Sequence, residues 1–321
     1  MITIQQIIGY LSEHISDSVP KYILIKEILK KEPSSPEYVN IYNDMKQSKW
    51  YRELADEQWE DGSWGRFHSR DAKAPKQKYP TTESALGRAR ELSLSKDDSM
   101  IAKCIKSMER YVCGEETWTD NIEKHKDDGK GHLFCRPFLT AATINLFDPK
   151  NSVIKPLRDT VAETLKEAFA SGSFNKIFWE QKVKEYHVSS VTAPGTLYGS
   201  MLLQNSNCMD DTLQRQWLDY IWNIKEGIYY VSSVPPADKQ YLEDKQFNQW
   251  FSTIELLSGF SLFRDYMDYG VLSHLLNEVN RLINGEVVCS INCRYAGSYR
   301  DKNKRKIDLV LRIARILVKC Q

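Results

Sequence analysis

Along most of this chain, apolar residues recur at the three- and four-residue steps of helices that bury one face. Ile4, Ile7, Ile8, Leu11 and Ile15 fall on one helical side, and the pattern breaks near Asp17 and Pro20 before a second apolar helix from about residue 21 to 31. After Pro33 and Pro36 a helix is expected from about residue 36 to 57, with Trp50 and Leu54 on one side. From there a beat sets in. Trp64, Trp118, Phe174, Tyr229 and Val287 follow one another at 54 to 58 residues, and four of them stand two positions after a glycine, namely Gly62, Gly172, Gly227 and Gly285. A period of that length marks stacked supersecondary units.

Between the marks two kinds of helix alternate. One has a charged back, as in Val153, Leu157, Val161, Leu165 and Phe169, set four apart among Lys, Arg and Glu, and its charged face belongs in water. The other is poor in charge and rich in small residues, as in FCRPFLTAATINL (134–146) and VTAPGTLYGSMLL (191–203), which suits a helix enclosed on most sides. Alternating outer and inner helices predict an all-α fold, an (α/α)6-type toroid of about six helix pairs forming one domain over residues 1–321. The glycine of each mark would turn the chain and the large residue would wedge between neighbouring units. The polar loops that follow the marks, at residues 65–80, 119–131, 175–190 and 231–245, would gather at one end, where binding residues usually sit.

Composition narrows the function classes. Lys plus Arg total 44 against 43 Asp plus Glu, so no strong field exists to hold a polyanion, and nucleic acid is not an expected partner. The opening MITIQQIIGYLSEHIS reads as a helix rather than a signal peptide, and no apolar run approaches the length of a membrane span. Seven cysteines without a CxxC pair suit a reducing compartment, and the expected location is cytoplasmic. The C-terminal KNKRKIDLVLRIARILVK reads in two ways. It is a basic amphipathic helix able to make a peripheral membrane contact, or the closing inner helix, with Ile307, Leu311, Ala314 and Val318 buried.

The segment QWEDGSWG (58–65) resembles the QW motif of the squalene-hopene and oxidosqualene cyclases, spaced Q-x3-G-x-W, through Gln58, Gly62 and Trp64. The later marks extend a degenerate version of the same resemblance over about 230 residues, and the helix-pair toroid of protein prenyltransferase β subunits is similar. The resemblance implies a toroid around an apolar cavity that accepts isoprenoid chains. It also implies a search for the family's catalytic strings. The DxDD of proton-initiated cyclisation is absent. CMDDTL (208–213) keeps Asp210, Asp211 and Thr212 but opens an outer helix, where capping accounts for an aspartate. The DDxxD of metal-assisted ionisation is absent too, since Asp97-Asp98, Asp127-Asp128 and Asp210-Asp211 lack the third acid. No cofactor is therefore expected: magnesium has no motif, and the zinc candidates His132, Cys135, Cys289, Cys293 and His274 lack a matched Asp-Cys pair.

In the register of the missing DxDD stands PTTESAL (80–86), with Glu83 its only acid. Buried there, Glu83 could serve as a general acid; equally, Thr81 or Thr82 caps the helix and Glu83 occupies a favourable first turn. His68, Asp71 and His132 would orient that acid or reload its proton. Arg136, His187 and Arg300 would bind a ligand head group, and Trp118, Trp179 and Tyr198 would wall the cavity and face a carbocation. The expected function is binding, with proton-initiated cyclisation, of an isoprenoid or similar apolar chain. The alternative is a noncatalytic toroid that binds a ligand or a protein.

Overall fold

The computed structural model describes residues 2–68, 76–116, 131–185, 194–288 and 291–321, the side chains of 131–136 and 183–184 excepted. These residues are all-α. The helices are α1 (Ile4–His14), α2 (Ser18–Ile23), α3 (Pro36–Lys46), α4 (Lys49–Glu57), α5 (Thr82–Glu91), α6 (Ser99–Val112), α7 (Gly131–Phe147), α8 (Lys155–Ala168), α9 (Lys176–Glu185), α10 (Leu197–Leu203), α11 (Asp211–Trp222), α12 (Phe247–Leu257), α13 (Phe263–Tyr266), α14 (Leu272–Ile283) and α15 (Lys302–Lys319). Two π-turns, Leu24–Ile28 and Met267–Val271, extend α2 and α13. Extended pairing among the described residues is confined to two isolated bridges, Thr196 with Tyr229 and Ile228 with Ser232.

The chain divides into two compact units. Unit 1 holds residues 1–56, 238–258 and 263–321, and unit 2 holds 57–237 and 259–262.

In unit 2, α7 packs against α5, α6 and α10, and α10 also meets α8. Both α7 and α10 carry the small, uncharged residues expected of enclosed helices. Tyr198 through Leu203 are all buried, as are Phe138 through Asn145. Asn145 links the interior polar groups: its Nδ2 donates to the carbonyls of Met201 and Gln204 at 2.8 Å each, and Arg158 Nη1 donates to its Oδ1 at 2.8 Å. Arg158 is the exception to the expected charged back of α8, because its guanidinium is buried.

Unit 1 is organised around α15, which packs on α1, α14 and the 24–28 π-turn. Leu309, Val310, Leu311, Ile313, Ala314 and Leu317 are fully buried, so its apolar side is covered by protein; Ile307 and Val318, expected inside, are half-buried. Arg312 and Arg315 on it are paired. Arg315 forks onto Glu27 at 2.7 and 2.8 Å, and Arg312 forks onto Glu255 while reaching Asn248 at 2.6 Å. The bidentate geometry suits guanidinium and carboxylate. Asp308, with no exposed surface, accepts the amides of Tyr295 at 2.9 Å and Ala296 at 3.0 Å.

In chain order, a helix with a charged back ends shortly before a glycine in the left-handed region five times: α4 before Gly62, α6 before Gly114, α8 before Gly172, α11 before Gly227 and α14 before Gly285. At Gly62 the reason is steric as well as conformational. A Cβ there would lie 2.7 Å from the Lys103 carbonyl oxygen. Gln58 Nε2 bonds both the Gly62 and the Met100 carbonyls at 2.8 Å, tying the end of α4 to the start of α6, and Trp64 is fully buried. Phe174 wedges as expected, within 5.4 Å of the Phe169 ring and 4.8 Å of Tyr220. Tyr229 does not: it is 56% exposed, and the preceding Ile228 takes the buried position. Trp118 lies outside the described residues.

Three boundaries differ from the sequence pattern. The helix expected over 36–57 is broken at Gln47 and Ser48, where Ser48 Oγ accepts the Tyr51 amide and starts a new helix. The helix expected from residue 191 begins only at Leu197, because Pro194 and the left-handed Gly195 precede a Thr196 cap. The polar stretch after Phe174 contains α9, started by Asn175 Oδ1 on the Phe178 amide and anchored by buried Trp179 against Phe174.

Candidate functional site

Glu83 lies in the first turn of α5, and that turn is built redundantly. Thr81 and Ser84 form a reciprocal capping box. The Thr82 amide bonds the Arg66 carbonyl at 2.8 Å, the Glu83 amide bonds the Phe67 carbonyl at 3.0 Å, and Thr82 Oγ1 accepts the Trp64 amide while donating to the Gly65 carbonyl. The segment 64–68 is thereby laid along the start of α5, which carries His68 to Glu83. The capping reading of this string holds in the structure, and it positions the glutamate rather than replacing it.

The Glu83 carboxylate bridges two partners. Oε2 lies 2.7 Å from His68 Nδ1, and Oε1 accepts the Tyr198 hydroxyl. The Tyr198 oxygen is also 3.3 Å from His68 Nδ1, and the two rings meet edge to face at 6.2 Å. With the proton on Nδ1, both carboxylate oxygens accept hydrogen bonds and His68 Nε2 is left with its lone pair. Tyr198 is buried at 3% exposure, whereas His68 and Glu83 retain 34% and 25% of their side-chain surface. Donor and acceptor are thus fixed from within, and part of each of the His68 and Glu83 side chains remains exposed.

Tyr198 is the second residue of α10, behind the Thr196 cap. Its strand-like approach is pinned by bonds from the Leu197 amide to the Tyr229 carbonyl at 3.0 Å and from the Tyr229 amide to the Gly195 carbonyl at 2.9 Å. That brings the loop after α11 alongside. Tyr230 meets Tyr198 edge to face at 6.1 Å and packs on Tyr229 at 4.2 Å. Tyr230 was not distinguished by the sequence pattern; the doubled tyrosine after Gly227 was the available signal.

Of the other expected site residues, Asp71 and His187 lie outside the described residues, as do the side chains of His132 and Arg136. Trp179 belongs to the cluster of Phe174, Phe169 and Tyr220. Arg300 is exposed, in unit 1. Asp210 caps α11 through a 2.8 Å bond from the Leu213 amide, and Asp98 accepts the Ser95 amide at 2.7 Å before α6, so both acidic pairs within the described residues do structural work. Cys104 is enclosed and burial pushes its thiol pKa well up. Cys208 is pushed up as well by burial, against a hydrogen bond from Ser206 and the charge of Arg158. Neither thiol is poised as a thiolate nucleophile. No helix among the described residues is long and apolar enough to cross a membrane.

Comparison with protein-family models, with curated proteins and with solved structures returned no match.

Proposed function

We propose that the chain is an acid–base enzyme of the helix-pair toroid type, binding an isoprenoid or similar apolar chain and cyclising it by protonation at Glu83. The observation that carries the reading is the clamping of Glu83 between His68 and Tyr198. An alkene is a poor base, so the acid must be held rigidly against it and the charge left on the carboxylate must be met at once. The hydrogen-bond donors His68 and Tyr198 meet that charge, one at each oxygen. His68, half open to solvent, can return a proton to Glu83 from water for the next cycle. The alternation of charged-backed and enclosed helices, and the five left-handed glycines between them, support the repeat architecture that the toroid requires.

A second reading is favoured by the backbone bonds around Glu83. The Arg66, Phe67 and Gly65 carbonyls and the capping box already employ the start of α5 as a fastening point. On that basis the glutamate, histidine and tyrosine complete a structural clasp in a noncatalytic binding protein.

Product analysis by gas chromatography and mass spectrometry separates the two. Purified protein and its Glu83→Gln variant are incubated with prenyl diphosphates and squalene-like polyenes, with and without magnesium. A cyclic hydrocarbon or alcohol formed by the unaltered protein and lost in the variant supports the enzyme. Absence of turnover, with the variant less stable to urea, supports the clasp.

A further inference from the structure

Beside the Glu83 centre, unit 2 exposes two aromatic rings that packing would ordinarily hide. Tyr229 is 56% and Tyr230 57% exposed. Tyr230 is also held in the left-handed backbone region, at φ +67°, which costs a non-glycine residue of order 1–3 kcal/mol and persists only where its surroundings enforce it. Here they do. The Val231 and Ser232 amides both bond the Ile228 carbonyl at 2.9 Å, Tyr229 is bridged to residues 195–197, and Gly227 is required because a Cβ would lie 2.2 Å from the Ser232 oxygen. The loop is a rigid ledge that holds two tyrosines outward, and Tyr198 connects it to the carboxylate of Glu83.

We propose that this ledge is a subsite for a ligand carrying an alkylammonium group. The argument is one of charge and polarisability. The π faces of tyrosine attract a cation, and do so best when it is large, weakly hydrated and methylated. The Glu83 carboxylate, both oxygens of which accept hydrogen bonds, is joined to the ledge through Tyr198 and supplies negative charge when ionised. An apolar chain would be served by a concave aliphatic wall. Two exposed phenol rings joined through Tyr198 to a carboxylate offer it little, whereas they complement a diffuse cation. The subsite goes beyond the isoprenoid reading and does not rest on it: a protein that turned over no polyene would still recognise the cation.

Choline and its neutral carbon isostere 3,3-dimethylbutan-1-ol serve as probes, titrated by calorimetry and by chemical-shift changes of the tyrosine rings. Choline should bind and the isostere should bind at least about fivefold more weakly, the loss expected for removing one cation–π contact. Tyr230→Gly deletes the ring while suiting the left-handed backbone, so its fold, checked by circular dichroism, is retained; it should weaken choline about fivefold or more, as should Glu83→Gln. Tyr230→Phe should keep binding. The proposal is overturned if choline does not bind, if the isostere binds as well, or if Tyr230→Gly binds choline like the unaltered protein. Product analysis is independent of all three results, so failure here and failure of cyclisation are distinguishable.

Discussion

The two units solve the same problem, polar groups in a helical interior, with different chemistry. Unit 1 pairs full charges: Arg315 with Glu27, Arg312 with Glu255, Arg281 with the buried Glu278, and the buried Asp308 with two backbone amides. Unit 2 answers the buried guanidinium of Arg158 with a neutral amide, Asn145, at the junction of α7, α8 and α10, and among its described residues holds a glutamate–histidine pair that is partly exposed. A cancelled charge specifies geometry and is chemically inert. A carboxylate clamped at both oxygens but reachable is the arrangement that can exchange a proton. The difference lies in the partners: guanidinium groups and backbone amides hold the carboxylates of unit 1, whereas a histidine and a tyrosine, both able to move a proton, hold Glu83.

That contrast can be broken at several levels. Asp308→Ala should have the largest effect, about 3 kcal/mol, because two amides lose a charged acceptor in a site closed to water. Urea unfolding reads the loss, and hydrogen exchange should show it in α15; equal loosening of α7 would mean that the units do not differ in the way described. Gly62→Ala should cost about 2 kcal/mol through the forced left-handed backbone and its approach to Lys103, with α6 and α7 losing exchange protection first. Tyr198→Phe should cost about 1 kcal/mol or less in stability, yet lower kcat at least about tenfold with KM little changed, as a positioning residue for Glu83 would. A parallel fall in stability and activity would make Tyr198 merely structural.

The gentlest probe is alkali. Burial raises the pKa of Cys104 in unit 2 from its ordinary 9.0, and that of Tyr295 in unit 1 from its ordinary 10.0. Each group is neutral in the fold and ionises at its ordinary value once unfolded. Stability from each is therefore complete below that value and is lost as pH rises above it. Urea midpoints should begin to fall near pH 9 for probes in α6 and α7 and in α15 alike, because burial also raises Cys320 at the end of α15 from 9.0 to about 11, and Tyr295 should steepen the fall in α15 about a unit higher. In the native state at neutral pH, a thiol reagent should label exposed Cys113 and spare Cys104.

How far these features could be read in advance depends on their range along the chain. The helical content and the glycine stops were legible because amphipathic period and left-handed turns are local. The approach of His68 to Glu83 was legible for the same reason, being a matter of 15 residues. The third member of the clamp was not: Tyr198 is 115 residues away, and its small-residue helix suggested a wall, with nothing to say that its hydroxyl turns to a carboxylate. Arg158 was hidden because burial of a guanidinium depends on Asn145 and the Pro149 carbonyl, which only folding assembles. The break at Gln47 and Ser48 was missed because an isolated serine in a long apolar period is a weak signal until its hydroxyl is seen to accept an amide.

The connectivity of unit 1 sets an order on the ribosome. Its α1 and the 24–28 π-turn precede unit 2 in the chain, but their partner α15 follows it, and the Arg315–Glu27 clasp closes over 288 residues. Between them lies nearly all of unit 2, a continuous run from 57 to 237 completed by four residues, 259–262. Nascent unit 2 can therefore bury its core while α1 and the 24–28 π-turn still show apolar faces to whatever holdase is at hand. A stalled or prematurely terminated chain would carry a nearly finished candidate site attached to an orphaned, aggregation-prone leader.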